Sequence, residues 1–204
     1  MLNLVKVAVT GGLACGKSSV CRLFKDLGAF TVDADEIVHQ QLSLDTALGQ
    51  QVLRLLGKEI VVNHQIDRSL IAKKVFKQPQ LLHSLEKLVH PEVKRELETL
   101  YQRINSRNEH SLFVVEAPLL FEAGGKRWFD YDYSIAVVAN ELLCQKRFQE
   151  RGSGGIEEYE QRAKRQLNSE EKAERADFII TNNGTLSDLY NQVKTLYNKM
   201  FNLS

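Results

Sequence analysis

Gly11, Gly16, Lys17 and Ser18, within the stretch GGLACGKS, satisfy the spacing GxxxxGK[ST]. Glycines at that spacing let a chain wrap until successive backbone N–H groups point at one centre, and a following helix N-terminus adds its positive end. A lysine there reaches the β and γ phosphates of a nucleotide, and a hydroxyl takes a place on Mg²⁺. The alternative is a glycine-rich turn with an incidental Lys-Ser. The context weighs against it, because the pattern follows the apolar run LVKVAVT and precedes a helical pattern.

That context must come from the elements on either side. Five short Val-, Ile- and Phe-rich stretches read as buried strands, at 4–10, 30–32, 112–116, 133–138 and 178–181, separated by helical patterns. Such alternation predicts an α/β fold around a mostly parallel sheet. Val20, Leu23, Phe24 and Leu27 share one helical face, and Gly28 stands where a C-terminal cap belongs. Between the second and third strands lie about 80 residues of helical pattern, longer than a crossover and read as an inserted helical subdomain. Within it Asp67 can cap a helix over RSLIAKKVF, and two further helices open at Pro79 and Pro91. A second helical excursion runs over 140–175, with GSGG at 152–155 as a hinge. LSDLYNQVKTLYNKMF reads as a closing amphipathic helix.

Parallel strands joined by right-handed crossovers present their C-terminal ends on one edge, where ligands bind. The second strand ends in DADE, which puts Asp33 beside the glycine loop. It can take a proton from an attacking hydroxyl, hold a metal-bound water, or cap the helix over ADEIVHQQL. Arg147 and Arg151 are one helical turn apart, as are Arg162 and Gln166, so each pair can face one phosphate region. A lid over 140–175 would exclude water from the transfer.

Composition limits the rest. The 204 residues are 43% hydrophobic and 26% charged, an ordinary globular balance, and 27 Lys and Arg against 26 Asp and Glu leave a formal charge of +1. A dedicated nucleic-acid footprint is excluded, so any anion site is local. Cysteines 15, 21 and 144 form neither a disulfide framework nor a zinc spacing, which points to a reducing compartment, the cytoplasm. No stretch approaches the roughly 20 apolar residues of a membrane span.

The stretches VTGGLACGKSSV, VDADEIVH, IDRSLIAKKVF, LEKLVHPEV, EAPLLFEAG, KRFQER, RAKRQ and EEKAERADFIITNNG, in this order, resemble the dephospho-CoA kinase family from the first strand to the last helix. The resemblance implies a P-loop NTPase fold, three-layer α/β/α with a five-stranded parallel sheet. Its nucleotide-binding core would be 1–33, 111–139 and 176–204, its helical CoA domain 34–110 and its lid 140–175. It implies transfer of the ATP γ-phosphate, with Mg²⁺, to the ribose 3′-hydroxyl of the small-molecule substrate dephospho-CoA. Neither a nucleic acid nor a membrane would be a partner, and the chain would be a monomer or weak homo-oligomer.

Position by position, Gly11, Gly12, Leu13, Ala14, Cys15, Gly16, Lys17 and Ser18 would form the ATP loop, with Ser18 on Mg²⁺. Lys17, Asp33 and Arg147 would be catalytic. Asp35 would neighbour Asp33 in the acceptor site, and Asn182, Asn183 and Gly184 would lie near the adenine. His90 with Pro91 matches a signature of the CoA domain, which would put His90 among the substrate-binding residues; it is read as shaping a helix junction, with a packed core histidine as the alternative. Glu122 faces either the acceptor or the structure. The chain departs from the family pattern at Glu116, Cys144, Gly152 and Thr181, where aspartate, glutamine, aspartate and aspartate are usual. An acid facing a metal at 116 would reach one methylene further. A nucleoside monophosphate or sugar kinase is the nearest rival reading. A GTP-binding switch is disfavoured, because no NKxD follows the fourth strand and no DxxG the third.

Overall fold

A computed structural model describes residues 4–76 and 78–201. In chain order the elements are β1 (Val5–Gly11), α1 (Lys17–Asp26), β2 (Phe30–Asp33), α2 (Ala34–Gln41), α3 (Ala47–Leu56), β3 (Val61–Val62), β4 (Gln65–Ile66), α4 (Arg68–Phe76) and α5 (Pro79–Arg107). They continue as β5 (Leu112–Glu116), β6 (Tyr133–Val138), α6 (Glu141–Glu150), α7 (Ile156–Ala163), α8 (Ser169–Arg175), β7 (Phe178–Thr181) and α9 (Leu186–Phe201). The described residues divide into two compact units, one comprising the chain up to Asp33 with everything from Tyr101 onward, the other Ala34–Leu100.

The first unit is an α/β fold on a five-stranded sheet ordered β2-β5-β1-β6-β7, with every pairing parallel. The five strands expected from sequence are all present, within a residue at each end. Val7, Val9, Val114, Ile135, Val137 and Ile180 are fully buried, as near-continuous apolar runs must be in a sheet covered on both faces. The chain leaves β1 toward β2 on one side and leaves β5 toward β6 on the other. That reversal opens a crevice at the C-terminal ends of β1 and β5.

Helix α1 buries Val20, Cys21 and Phe24 against this sheet core. It ends as the glycine predicted: Ala29 N–H donates to Phe24 O and Gly28 N–H to Lys25 O, with Gly28 at φ 102°, a Schellman closure. Removing the Phe24 ring would cost about 3–5 kcal/mol, since the site is fully enclosed. The predicted closing helix is α9, burying Leu189, Val193 and Met200.

The second unit packs Leu48, Val52, Leu56, Ile60, Ile71 and Val75 into its own core. Asp67 caps α4 as expected, accepting from Ser69 N–H at 2.7 Å and Leu70 N–H at 3.2 Å. The β3–β4 hairpin, turned by Asn63 and His64 at positive φ, was not anticipated.

The helix predicted to begin at Pro91 does not exist as a separate element. Pro91 lies inside the 29-residue α5, so His90 marks no helix junction. The apolar stride Leu85, Val89, Val93, Leu97 continues through the proline without a phase break. Its missing N–H removes one hydrogen bond from a helix with several turns on either side to carry it.

Candidate active site

The loop after β1 owes its path to residues with unusual backbone angles. Gly11, Ala14 and Gly16 have φ of 148°, 57° and 99°. A Cβ on Gly11 would sit 2.2 Å from Val137 O, its β6 partner, and one on Gly16 would sit 2.2 Å from Asn182 Nδ2. Gly12 is equally confined, its notional Cβ lying 2.4 Å from Ser169 Oγ. Gly16 is the N-cap of α1 and offers no side-chain hydrogen bond to the first turn. The helix therefore presents open N–H groups and its positive end to the hollow of the loop, an anion site by construction.

Lys17 is buried, and its Nζ donates back to Gly12 O at 2.8 Å and Gly11 O at 3.3 Å. The neighbouring Ser18 Oγ donates to Glu116 Oε1 at 2.8 Å. Glu116 ends β5, is buried, and is in register with Val9 of β1 on one side and Asp33 of β2 on the other. Asp33 is exposed and immediately precedes α2. The two carboxylates and Lys17 all act on Cys21, whose thiol is pushed well above its usual range, first by burial, then by Glu116 and Asp33, against Lys17. A hydroxyl and a carboxylate side by side at the phosphate loop are hard oxygen donors and fit Mg²⁺, which takes one or two protein oxygens and fills its octahedron from phosphate and water.

Cys15 and Cys144 bring their sulfurs to 3.3 Å, deep beside the loop. Cys15 is lowered to about 6, mainly by the hydrogen bond from Cys144, against desolvation, with Ser169, Lys17 and the Ala139 backbone also lowering it; Cys144 is correspondingly raised.

From α6, Arg147 donates through Nη2 to Asn182 O at 3.1 Å, while its Nη1 is buried with no hydrogen-bond partner. Asn182 is itself buried and donates to Cys15 O at 2.9 Å, so it clamps the loop. Asn183 accepts from Asn140 N–H at 2.7 Å and, unlike Asn182, lines a cavity of about 760 Å³ next to Gly12 and Leu13. Tyr159 and Ile179 also line it, neither singled out by sequence. Gly184 lies just before α9, its notional Cβ 2.6 Å from Asp188 Oδ2.

Glu122 turns toward the 166–172 segment, its Oε1 accepting from Leu167 N–H at 2.8 Å and pairing with Lys172 at 3.1 Å. Lys172, completely buried, was overlooked although it stands within EEKAERAD. Arg162 and Gln166 do not share a helical face, because α7 ends at Ala163 and Arg162 is paired with Glu158 at 2.7 Å. Arg151 is the C-cap of α6. Gly152 and Gly154, at φ 66° and 131°, make the turn into α7. Asp35, in the first turn of α2, and half-buried His90, whose pKa burial lowers against the pull of Glu86, belong to the second unit.

Fold and loop together define a P-loop kinase. The chain belongs to the dephospho-CoA kinase family, whose profile matches residues 5–188. It is 48% identical to a dephospho-CoA kinase of Protochlamydia amoebophila over 98% of both chains, and 41% identical to one of Chlamydia pneumoniae over 97% of this chain and 96% of the other. Among solved structures, a Thermus thermophilus protein superposes with a TM-score of 0.81 at 31% identity, covering 97% of this chain and 98% of that one. A dephospho-CoA kinase from Campylobacter jejuni gives 0.69 at 26% identity, covering 97% of each. A shikimate kinase from Acinetobacter baumannii shares the fold, with a TM-score of 0.56 at 15% identity, covering 97% of this chain and 95% of that one.

Proposed function

We propose that this chain phosphorylates the ribose 3′-hydroxyl of dephospho-CoA from ATP, yielding coenzyme A and ADP. The observation that carries the reading is the alignment of Lys17, Ser18, Glu116 and Asp33 around one uncapped helix end at the sheet's switch point. Lys17 exchanges its two loop carbonyls for phosphate oxygens. Asp33 accepts the proton of the attacking hydroxyl while the bond between the β–γ bridging oxygen and γ-phosphorus breaks and ADP leaves. Arg147 offers its unpartnered Nη1 to charge developing on the transferring group. Ser18 and Glu116 hold Mg²⁺, which supplies charge neutralisation on the phosphates when bound.

In this reading 1–33, 111–139 and 176–204 bind the nucleotide, 34–110 with Asp35 and His90 receives the acceptor, and 140–175 is the lid. Asn182, Asn183 and Gly184 lie on the adenine side, a reading supported by Asn183 on the cavity wall and by the bond from Asn182 to Cys15 O. Among the described residues no helix is long and apolar enough to cross a membrane. The assignment to the cytoplasm, as a monomer or weak homo-oligomer, belongs to the same reading.

The test is ADP release in the presence of Mg-ATP and candidate acceptors. Release proportional to added dephospho-CoA, and negligible with AMP, CMP or UMP, is expected. The reverse preference would overturn the assignment.

A further inference from the structure

Lys172 carries a fully buried ammonium group that the reaction scheme above does not use. It donates to Pro118 O at 2.6 Å, Gln166 Oε1 at 3.1 Å and, more distantly, Gly11 O at 3.4 Å, and pairs with Glu122 Oε1 at 3.1 Å. Burying an ammonium is costly even when it is well paired, and an aliphatic chain of the same length would fill the space. The partners it has chosen come from three places: the phosphate loop, the backbone beyond β5, and the segment between α7 and α8.

The Gly11 oxygen is also where Lys17 rests, at 3.3 Å, so two ammonium groups converge on one carbonyl. Glu122 balances the charge of Lys172. Among the described residues no carboxylate stands within ion-pair distance of Lys17, which leaves a surplus positive charge for an incoming anion. When Lys17 turns to a phosphate, the buried Gly11 carbonyl loses that donor, and an unsatisfied buried carbonyl is unfavourable.

We propose that Lys172 is a positioning residue of the phosphate loop. It stays on the Gly11 carbonyl when Lys17 leaves it, and through Pro118 and Glu122 it ties the loop to the backbone beyond β5. Gly11 is held in parallel register with Val137 of β6, so its carbonyl is fixed by the sheet and the donor must come to it. The inference rests on reading the loop as the ATP phosphate site. An unsubstituted protein that neither binds ADP nor consumes ATP would refute that reading, not the role of Lys172.

The test compares the protein with K172M and with the charge-free pair K172M/E122Q, in steady-state kinetics and ADP binding. K172M is expected to raise the KM for ATP and the Kd for ADP about tenfold or more, the range for losing a charged hydrogen-bond donor, with the KM for dephospho-CoA changed less than about twofold. A purely structural lysine would lower the active fraction, and hence kcat, with both KM values unmoved. That result, or equal rises in both, would overturn the proposal. In the pair, thermal stability is expected to recover because Glu122 is no longer a charge that has lost its ion-pair partner, while the ATP KM stays high. Return of the ATP KM to the unsubstituted value would overturn it. If K172M does not accumulate folded, the pair is read alone on the same criteria.

Discussion

Ser18 Oγ donates to Glu116 Oε1 across 2.8 Å, joining the first turn of α1 to the end of β5. The carboxylate is buried, so it orients the hydroxyl and concentrates negative charge beside the phosphate loop. Glu116→Gln keeps an acceptor and removes the charge. The Mg²⁺ concentration for half-maximal activity should rise about 10- to 100-fold, the usual effect of losing a supporting partner at a metal site. A Mg²⁺ titration that superposes on the unsubstituted enzyme's would assign Glu116 to structure alone.

Asp33 lies one strand away from Glu116 in the same register and is exposed where Glu116 is buried. An exposed acid on the binding edge can meet a hydroxyl. Asp33→Asn should reduce kcat about 10²- to 10⁴-fold with ATP affinity nearly unchanged. Single-turnover rates and ADP titration separate the two. Parallel losses in both would favour a capping or metal-water role.

Gly16 is held at φ 99° with Asn182 Nδ2 where a methyl group would go. Gly16→Ala must displace the amide that donates to Cys15 O, and it adds backbone strain of about 1–3 kcal/mol. The expected result is loss of the thermal shift produced by ADP, together with a lower melting temperature in its absence. A preserved ADP shift would mean that the loop tolerates a different path.

Acid should weaken the fold through two groups in different windows. Cys15 has a folded value of about 6 against 9.0, so its contribution is complete above pH 9 and is lost as pH falls toward 6. His90 has a folded value below 6.5, so the unfolded chain binds its proton first and stability falls as pH drops below 6.5. Urea unfolding across pH 5 to 9 should show Cys15→Ser flattening the upper part of the slope and His90→Gln the lower. Unchanged slopes in both variants would contradict these assignments.

What could be read in advance follows from how local the governing physics is. The strands and α1 declare themselves because their side-chain periods and end residues act within a few positions. Gly28 closes α1 and Asp67 opens α4 for that reason. Pro91 misled because a proline suits a first helical turn, whereas the apolar stride through Leu85, Val89, Val93 and Leu97 was the longer-range and decisive signal. The β3–β4 hairpin is two residues a side, too short for alternation to register. In the site, GGLACGKS was legible as a phosphate loop, but the partners of Lys172 and Asn182 are set by tertiary packing. Gly11 is 161 positions from Lys172, and Cys15 is 167 from Asn182, beyond the reach of any local pattern. Arg162 and Gln166 failed as a pair because a helix assumed to continue stops between them.

Helix α1 is finished at one end and unfinished at the other. Its C-terminal carbonyls are satisfied by the protein's own turn at Gly28, and its N-terminal amides are left to something the chain does not contain. The nucleotide is in that sense the missing residue of the fold. Whatever occupies the loop completes a secondary structure as well as a reaction site, so this protein's heat tolerance should follow its supply of nucleotide. At a hundred times the dissociation constant the gain is about 2.7 kcal/mol. A cell depleted of nucleotide would thus hold a less durable enzyme as well as an idle one.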